Sequence, residues 1–502
     1  MERERLLFLT GHLARPRLER VLQSLGETAF SWSIADIGVK VAALATGEII
    51  ERRLPRPVDA DRIIVPGRCR ADLDRLSASF GVPFTRGPDE LVDLPGFLGR
   101  KGAPPDLSRH DTRIFAEIVD ASALDVEAIF ARGLRMAAAG ADVIDLGCLP
   151  DTPFPHLEEA IAALKDAGLS VSVDSANPSE LSRATRAGAD FLLSLTEETL
   201  DIAHEGAAVP ILIPARLHDM ASLDRAIEKA SAMGIAFMAD PILDPIHFGF
   251  ADSLMRYHQV RRAHPSIEML MGTGNLTELT DADTSGITAM LLGICSELTI
   301  RNLLVVHVSP HTRRTIEEHD AARRLFFAAR EDGALPRGYS AGLLQIHDVK
   351  PFAASPDELA AQAAEVRDRN YRIETAVDGI HLYNKDVHVV QTDAFEFFPE
   401  LGVEGDPAHA FYLGAELQKA EIAWRLGKRY AQDEPIDFGV ALDKREEDRT
   451  RLEAAGHTLK AGKKPVGTDA EPAAPRADLR EPDAGDDAPG VEPAGEPAGE
   501  ME

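Results

Sequence analysis

Residues 142–174 read DVIDLGCLPDTPFPHLEEAIAALKDAGLSVSVD. Two short apolar runs, Asp142–Gly147 and Ser170–Asp174, flank a stretch of helical periodicity over Pro155–Ala167. Strands buried on both faces read as continuous apolar runs, and strand–helix–strand alternation implies a right-handed parallel crossover. The same unit recurs in both directions. Upstream stands Ile114–Val119, followed by the helical stretch Asp125–Ala139. Downstream, after the helical stretch Pro178–Ala187, come Phe191–Thr196, Val209–Pro214, Ala236–Pro241, Glu268–Gly272 and Leu303–Val308. Eight such units are the number that closes a barrel. The expected fold is therefore α/β, a (β/α)8 TIM barrel, with an N-terminal α/β domain and a C-terminal α+β segment. Active sites of such barrels lie at the C-terminal strand ends, which here carry Asp145, Asp174, Asp240, Asn275 and His307.

The 502-residue chain is longer than one ordinary core requires, so more than one domain is expected. Residues 1–108 read as an N-terminal α/β domain: Leu6–Leu9, Val39–Ala45 and Arg62–Val65 as strands or buried segments, Pro16–Leu25 as a helix. Thr10-Gly11-His12 reads either as a tight strand-to-helix turn or as an anion cradle. The barrel is assigned to 109–335. A third segment, 336–443, has strand-like pieces at Ile380–Tyr383 and Val387–Val390 and a long helix around His409–Tyr430. Residues 444–502 turn to Ala, Pro, Gly, Asp and Glu, a composition expected to stay disordered.

A net charge of −29 disfavours nucleic acid and anionic membrane surfaces. Even without the tail, where residues 465–502 hold 11 acids against two arginines, the body is acidic, so an anionic substrate needs a local cluster of donors. No run approaches the length of a membrane span, and Cys69, Cys148 and Cys295 have no paired spacing. A cytoplasmic protein without signal peptide, disulfide or zinc frame is expected.

The most specific phrase is Gly140-Ala141-Asp142-Val143-Ile144-Asp145-Leu146-Gly147, followed by Val171-Ser172-Val173-Asp174-Ser175 and a second Gly-Ala-Asp at 188–190. With Asp240-Pro241 and Val306-His307 further on, this order over roughly 112–310 resembles dihydropteroate synthase and its pterin-binding relatives. The resemblance implies that Asp145, Asp174 and Asp240 line a pterin pocket and that His307 contacts a diphosphate leaving group. A carboxylate suits the aminopyrimidinone edge of a pterin because it accepts two N–H bonds at once, with charge assistance.

The departures fall on cations and amides. Ile118-Val119-Asp120-Ala121 stands where the family has an asparagine and a TPDS-type loop; Asp120 is there either a Mg²⁺ ligand or a helix cap. Leu193 or Ser194 stands at the fourth strand end in place of an asparagine. Gly272-Thr273-Gly274-Asn275-Leu276-Thr277 replaces a Ser-Arg-Lys phrase, and Val305 replaces an arginine. Replacement donors are the backbone and side chains of Thr273 and Asn275, and Arg313 and Arg314 after the last strand; the alternatives are a tight turn and a solvated helix start. The acids have bland readings as well: Asp240 as a turn cap, Asp174 as an N-cap.

Together with the segment HAFYLGAELQKAEIAWRLGKRYAQD at 409–433, the pattern is similar to a divergent dihydropteroate synthase-related branch found in archaea and in bacteria that make tetrahydromethanopterin. It implies a transferase joining a dihydropterin methyl diphosphate to an arylamine in folate- or tetrahydromethanopterin-type cofactor biosynthesis. Mg²⁺ would be the cofactor, pterin and arylamine the partners, and a homodimer an open assembly. Two alternatives stand beside it: a pterin-dependent methyltransferase and a non-catalytic pterin-binding subunit.

Overall fold

The computed structural model describes residues 3–12, 14–39, 45–99, 105–150 and 152–443. The acidic tail and residues 40–44 and 100–104 lie outside the described residues, so the expectations placed there are not addressed by it.

Near the N-terminus β1 (Glu4–Thr10), β2 (Phe30–Asp36), β3 (Arg62–Val65) and β4 (Phe84–Arg86) form a parallel sheet in the order β2-β1-β3-β4. The β2 strand was not among the expected elements. Its sequence, FSWSIAD, alternates serine with apolar residues, and it forms a sheet edge that keeps every residue partly exposed. Thr10-Gly11-His12 makes a turn: the Thr10 carbonyl accepts from Ile37 N at 3.1 Å and His12 Nδ1 lies 3.3 Å from Asp36 Oδ2.

The central body is a closed, all-parallel barrel of eight strands: β5 (Arg113–Ile118), β6 (Val143–Gly147), β7 (Ser170–Asp174), β8 (Phe191–Leu195), β9 (Val209–Leu212), β10 (Met238–Ala239), β11 (Glu268–Gly272) and β12 (Asn302–Val305). Successive side chains on a strand point to opposite faces. Accordingly Phe115, Val143, Phe191, Leu193, Ile211, Met238 and Leu270 form one cluster along the axis, while Ile114, Ala116 and Ile118 pack outward with the helices. Each buried large side chain contributes about 1.5–3 kcal/mol. Both Gly-Ala-Asp acids close the strand bottoms. Asp142 accepts from Ile114 N at 2.8 Å and Asp190 from Val171 N at 2.8 Å. Arg323, almost fully buried, pairs with Asp142 and Asp320 and donates to the Thr112 carbonyl at 2.7 Å.

The sixth and eighth expected runs end early. β10 stops before Asp240, where Pro241 has no N–H to continue the ladder. β12 stops at Val305, and the amides of Val308 and Ser309 turn to the Glu278 carboxylate instead, at 2.6 and 3.1 Å. His307 therefore sits on a loop just beyond its strand.

The C-terminal segment carries an antiparallel sheet, β13 (Arg372–Ala376), β14 (Gly379–Tyr383) and β15 (His388–Gln391), packed on the helix Pro407–Leu426. Gly427 at φ 62° ends that helix, so Tyr430, expected within it, lies beyond. Arg429 reaches Asp93, and Arg17 donates to the Ala353 carbonyl, joining the two flanking segments. No helix among the described residues is long and apolar enough to cross a membrane.

Candidate functional site

The axis of the barrel changes character toward its C-terminal end. On β5 Phe115 is followed, two residues on, by Glu117; on β6 Val143 is followed by Asp145; on β7 Ser172 is followed by Asp174. Strand register does the rest: Glu117 pairs with Asp145, Asp145 with Ser172, and Gly147 with Asp174. One oxygen from each of Glu117, Asp145 and Asp174 lies within 4.8 Å of the others.

Asp145 is fully buried, its Oδ1 accepts from the Ser172 hydroxyl, and its Oδ2 has no partner among the described residues. An unpaired buried acceptor costs about 1–3 kcal/mol, more when charged. Burial, then the Asp174 and Glu117 charges, push its carboxyl well above the usual range. Burial and then Glu117 and Asp240 lift Asp174 to about 7. Burial raises Glu117 as well. No basic side chain among the described residues offsets these three acids. Gly147 makes room for them: a Cβ there would lie 2.7 Å from Glu117 Oε1 and 2.8 Å from the Val119 carbonyl oxygen.

Asp240, at the end of β10, accepts from the Tyr257 hydroxyl at 2.5 Å and from Ile242 N at 2.8 Å. It thus does the turn work expected of a cap and keeps Oδ2 outside those bonds. Burial lifts it to about 6, against the lowering effect of its two donors. Asp174 is not a helix cap, since Asn177 caps the helix Pro178–Ala187 by accepting from Ser179 N at 3.0 Å.

The other expected residues have separate fates. Asp120 accepts from Arg132 at 2.6 Å and makes no side-chain cap bond. Thr273 faces inward to the protein, donating to the Leu304 carbonyl at 3.1 Å and lying 3.0 Å from the buried His319 Nε2. Exposed Asn275 donates to the Leu243 carbonyl at 2.6 Å, tying the loop after β11 to the loop after β10. His307 is partly buried, its Nδ1 has no partner among the described residues, and burial keeps its pKa below the usual value. Glu278, Arg132 and Arg135 act on it electrostatically. Arg313 is exposed. Arg314 donates to the Val440 carbonyl and Asp443, both at 2.8 Å, and lies 3.0 Å from Glu317.

Glu117 and Tyr257 were not singled out from sequence. A lone acid inside the apolar run IFAEIV was the available signal for Glu117; nothing local marks Tyr257, which lies 17 residues after Asp240 in sequence.

A domain family of unknown function, DUF6513, matches residues 4–89. An uncharacterized protein of Methanocaldococcus jannaschii is 27% identical over 86% of this chain and 98% of its own length. Among solved structures, the dihydropteroate synthase of Yersinia pestis with a pterine-sulfa conjugate is similar at 18% identity and a TM-score of 0.35, over 45% of this chain and 96% of that one. The Thermus thermophilus dihydropteroate synthase is similar at 22% identity and a TM-score of 0.33, over 44% and 95%. The Xanthomonas albilineans enzyme with 4-aminobenzoic acid is similar at 22% and 0.34, over 46% and 95%.

Proposed function

We propose that the chain binds a pterin at the C-terminal mouth of the barrel and acts as a transferase of the dihydropteroate synthase type. The observation that carries this reading is the set of carboxylates at three strand ends of the barrel, fully buried Asp145 and half-buried Asp174 and Asp240, with no basic partner for the first two among the described residues. Such a set calls for a ligand rich in N–H donors. The aminopyrimidinone edge of a pterin is one, and Asp174 and Asp240 would accept from it.

In the proposed reaction the nitrogen of an arylamine attacks the methylene carbon of a dihydropterin methyl diphosphate. A C–N bond forms, the C–O bond breaks with its electron pair leaving on diphosphate, and the amine sheds a proton. The pocket would hold the two reactants in line. The departing diphosphate would meet His307 and Arg313 at the rim, and Mg²⁺ would neutralise part of its charge. The folate- or tetrahydromethanopterin-type product depends on the arylamine, 4-aminobenzoate or a ribosylated aminobenzene.

A second reading, a non-catalytic pterin-binding subunit, draws support from Arg314, whose guanidinium is engaged by Val440, Asp443 and Glu317. Incubation with the pterin diphosphate and either arylamine separates the two. Formation of the C–N bonded product supports the transferase; pterin binding with neither product supports the subunit.

A further inference from the structure

We infer that Glu117, Asp145 and Asp174 form a site for one hard divalent cation of the Mg²⁺ type. The inference concerns these three side chains and does not depend on the pterin reading. Their ligand oxygens lie within 4.8 Å of one another. In an octahedron with bonds of about 2.0–2.1 Å, neighbouring oxygens stand about 3 Å apart and opposite ones about 4 Å. A shift of about an ångström would therefore bring all three onto one ion.

A cluster of acids alone would not justify an ion, but Asp145 adds an independent observation. Its side chain is fully buried, Ser172 holds Oδ1, Oδ2 is left without a partner, and one oxygen of this carboxylate lies within 4.8 Å of the Glu117 and Asp174 oxygens. Buried charges persist when they are paired or coordinate a metal. Gly147 is the one residue type that leaves this space open, because a Cβ would press on Glu117 Oε1 and on the Val119 carbonyl.

The donor set selects the ion. It is all oxygen, with no histidine or cysteine in the group, which disfavours Zn²⁺. Three protein oxygens are few for Ca²⁺, which takes six to eight, but suit Mg²⁺, which keeps several waters. From sequence Asp120 was open as a metal ligand or a helix cap, and its carboxylate instead accepts from Arg132. The proposed ligand of β5 is Glu117, three residues earlier and on the axis of the barrel.

The test is a Mn²⁺ titration of the full chain, stripped with EDTA and free of pterin, read by electron paramagnetic resonance of the unbound ion. One Mn²⁺ per chain is expected, displaced by excess Mg²⁺. Glu117→Gln and Asp145→Asn are each expected to weaken binding at least tenfold, whereas Asp120→Asn leaves it unchanged. Asp174→Asn, nearer the rim, supplies a third variant if circular dichroism shows either of the first two unfolded, with the same tenfold loss expected. Absence of a saturable Mn²⁺ site on the wild-type chain, or equal affinity in the folded variants, would overturn the inference. Pterin affinity measured in EDTA is a separate result and reports on the proposed function alone.

Discussion

Replacing Asp240 by asparagine should stabilise the protein while damaging its site. Asp240 is half-buried, and desolvation lifts its carboxyl from 3.8 to about 6. Between those values the native state binds more protons than the unfolded chain, so wild-type stability falls as pH rises through the window. The difference of about two pH units, at about 1.4 kcal/mol each, amounts to roughly 3 kcal/mol once the group is ionised in both states. Asparagine has no proton to lose, and its Oδ1 can still accept from Tyr257 and Ile242, which now bond Asp240 Oδ1. The variant should therefore exceed wild type by about 1 kcal/mol at pH 4.5 and by about 3 kcal/mol at pH 7.5. It also removes a charge that raises Asp174, which acts in the same direction. Urea unfolding followed by circular dichroism at four pH values measures this difference. A stability gap that is flat across the range, or that favours wild type at pH 7.5, would refute the claim that Asp240 is a desolvated charge held at a cost.

Gly147→Ala should destabilise the chain by about 1–3 kcal/mol in urea, because its Cβ would meet Glu117 Oε1 at 2.7 Å and the Val119 carbonyl at 2.8 Å; an unchanged midpoint would mean that this space is slack. Arg323→Met should cost about 3–5 kcal/mol, since it leaves Asp142 without its buried cation and Asp320 with Arg324 alone, and a loss below 1 kcal/mol would show that the barrel bottom does not need it. Arg313→Ala should lower turnover far more than pterin affinity, as expected for a residue that meets the leaving group in the transition state. Arg314→Ala should instead speed proteolysis near Val440–Asp443, the segment it holds, and equal turnover of Arg313→Ala and wild type at saturating Mg²⁺ would dismiss Arg313.

The barrel was legible because its strands are buried on both faces, and eight apolar runs survive as eight strands in the expected order. Strands with one wet face were not legible: β2 alternates serine with apolar residues, and β13 reads RIETA, with Arg372 and Glu374 on its wetter face. Strand ends were misplaced where tertiary partners replace the ladder, as Glu278 does for Val308 and Ser309. At the site, acids that end a strand could be found from position alone. Glu117 lies one residue inside its strand, and only the register with Asp145 reveals its place. The direction of a rim side chain is likewise not written in local sequence. Thr273 turns to His319, 46 residues away, and Arg314 to Asp443, 129 residues away.

The most direct test of the account is a calorimetric titration of a dihydropterin methyl diphosphate into the full chain, beside Asp174→Asn. The account predicts one site per chain and an affinity lower by about 1–3 kcal/mol in the variant, the scale for losing a charged hydrogen-bond partner. No heat of binding to the wild-type chain, or the same affinity in a folded Asp174→Asn variant, would contradict it.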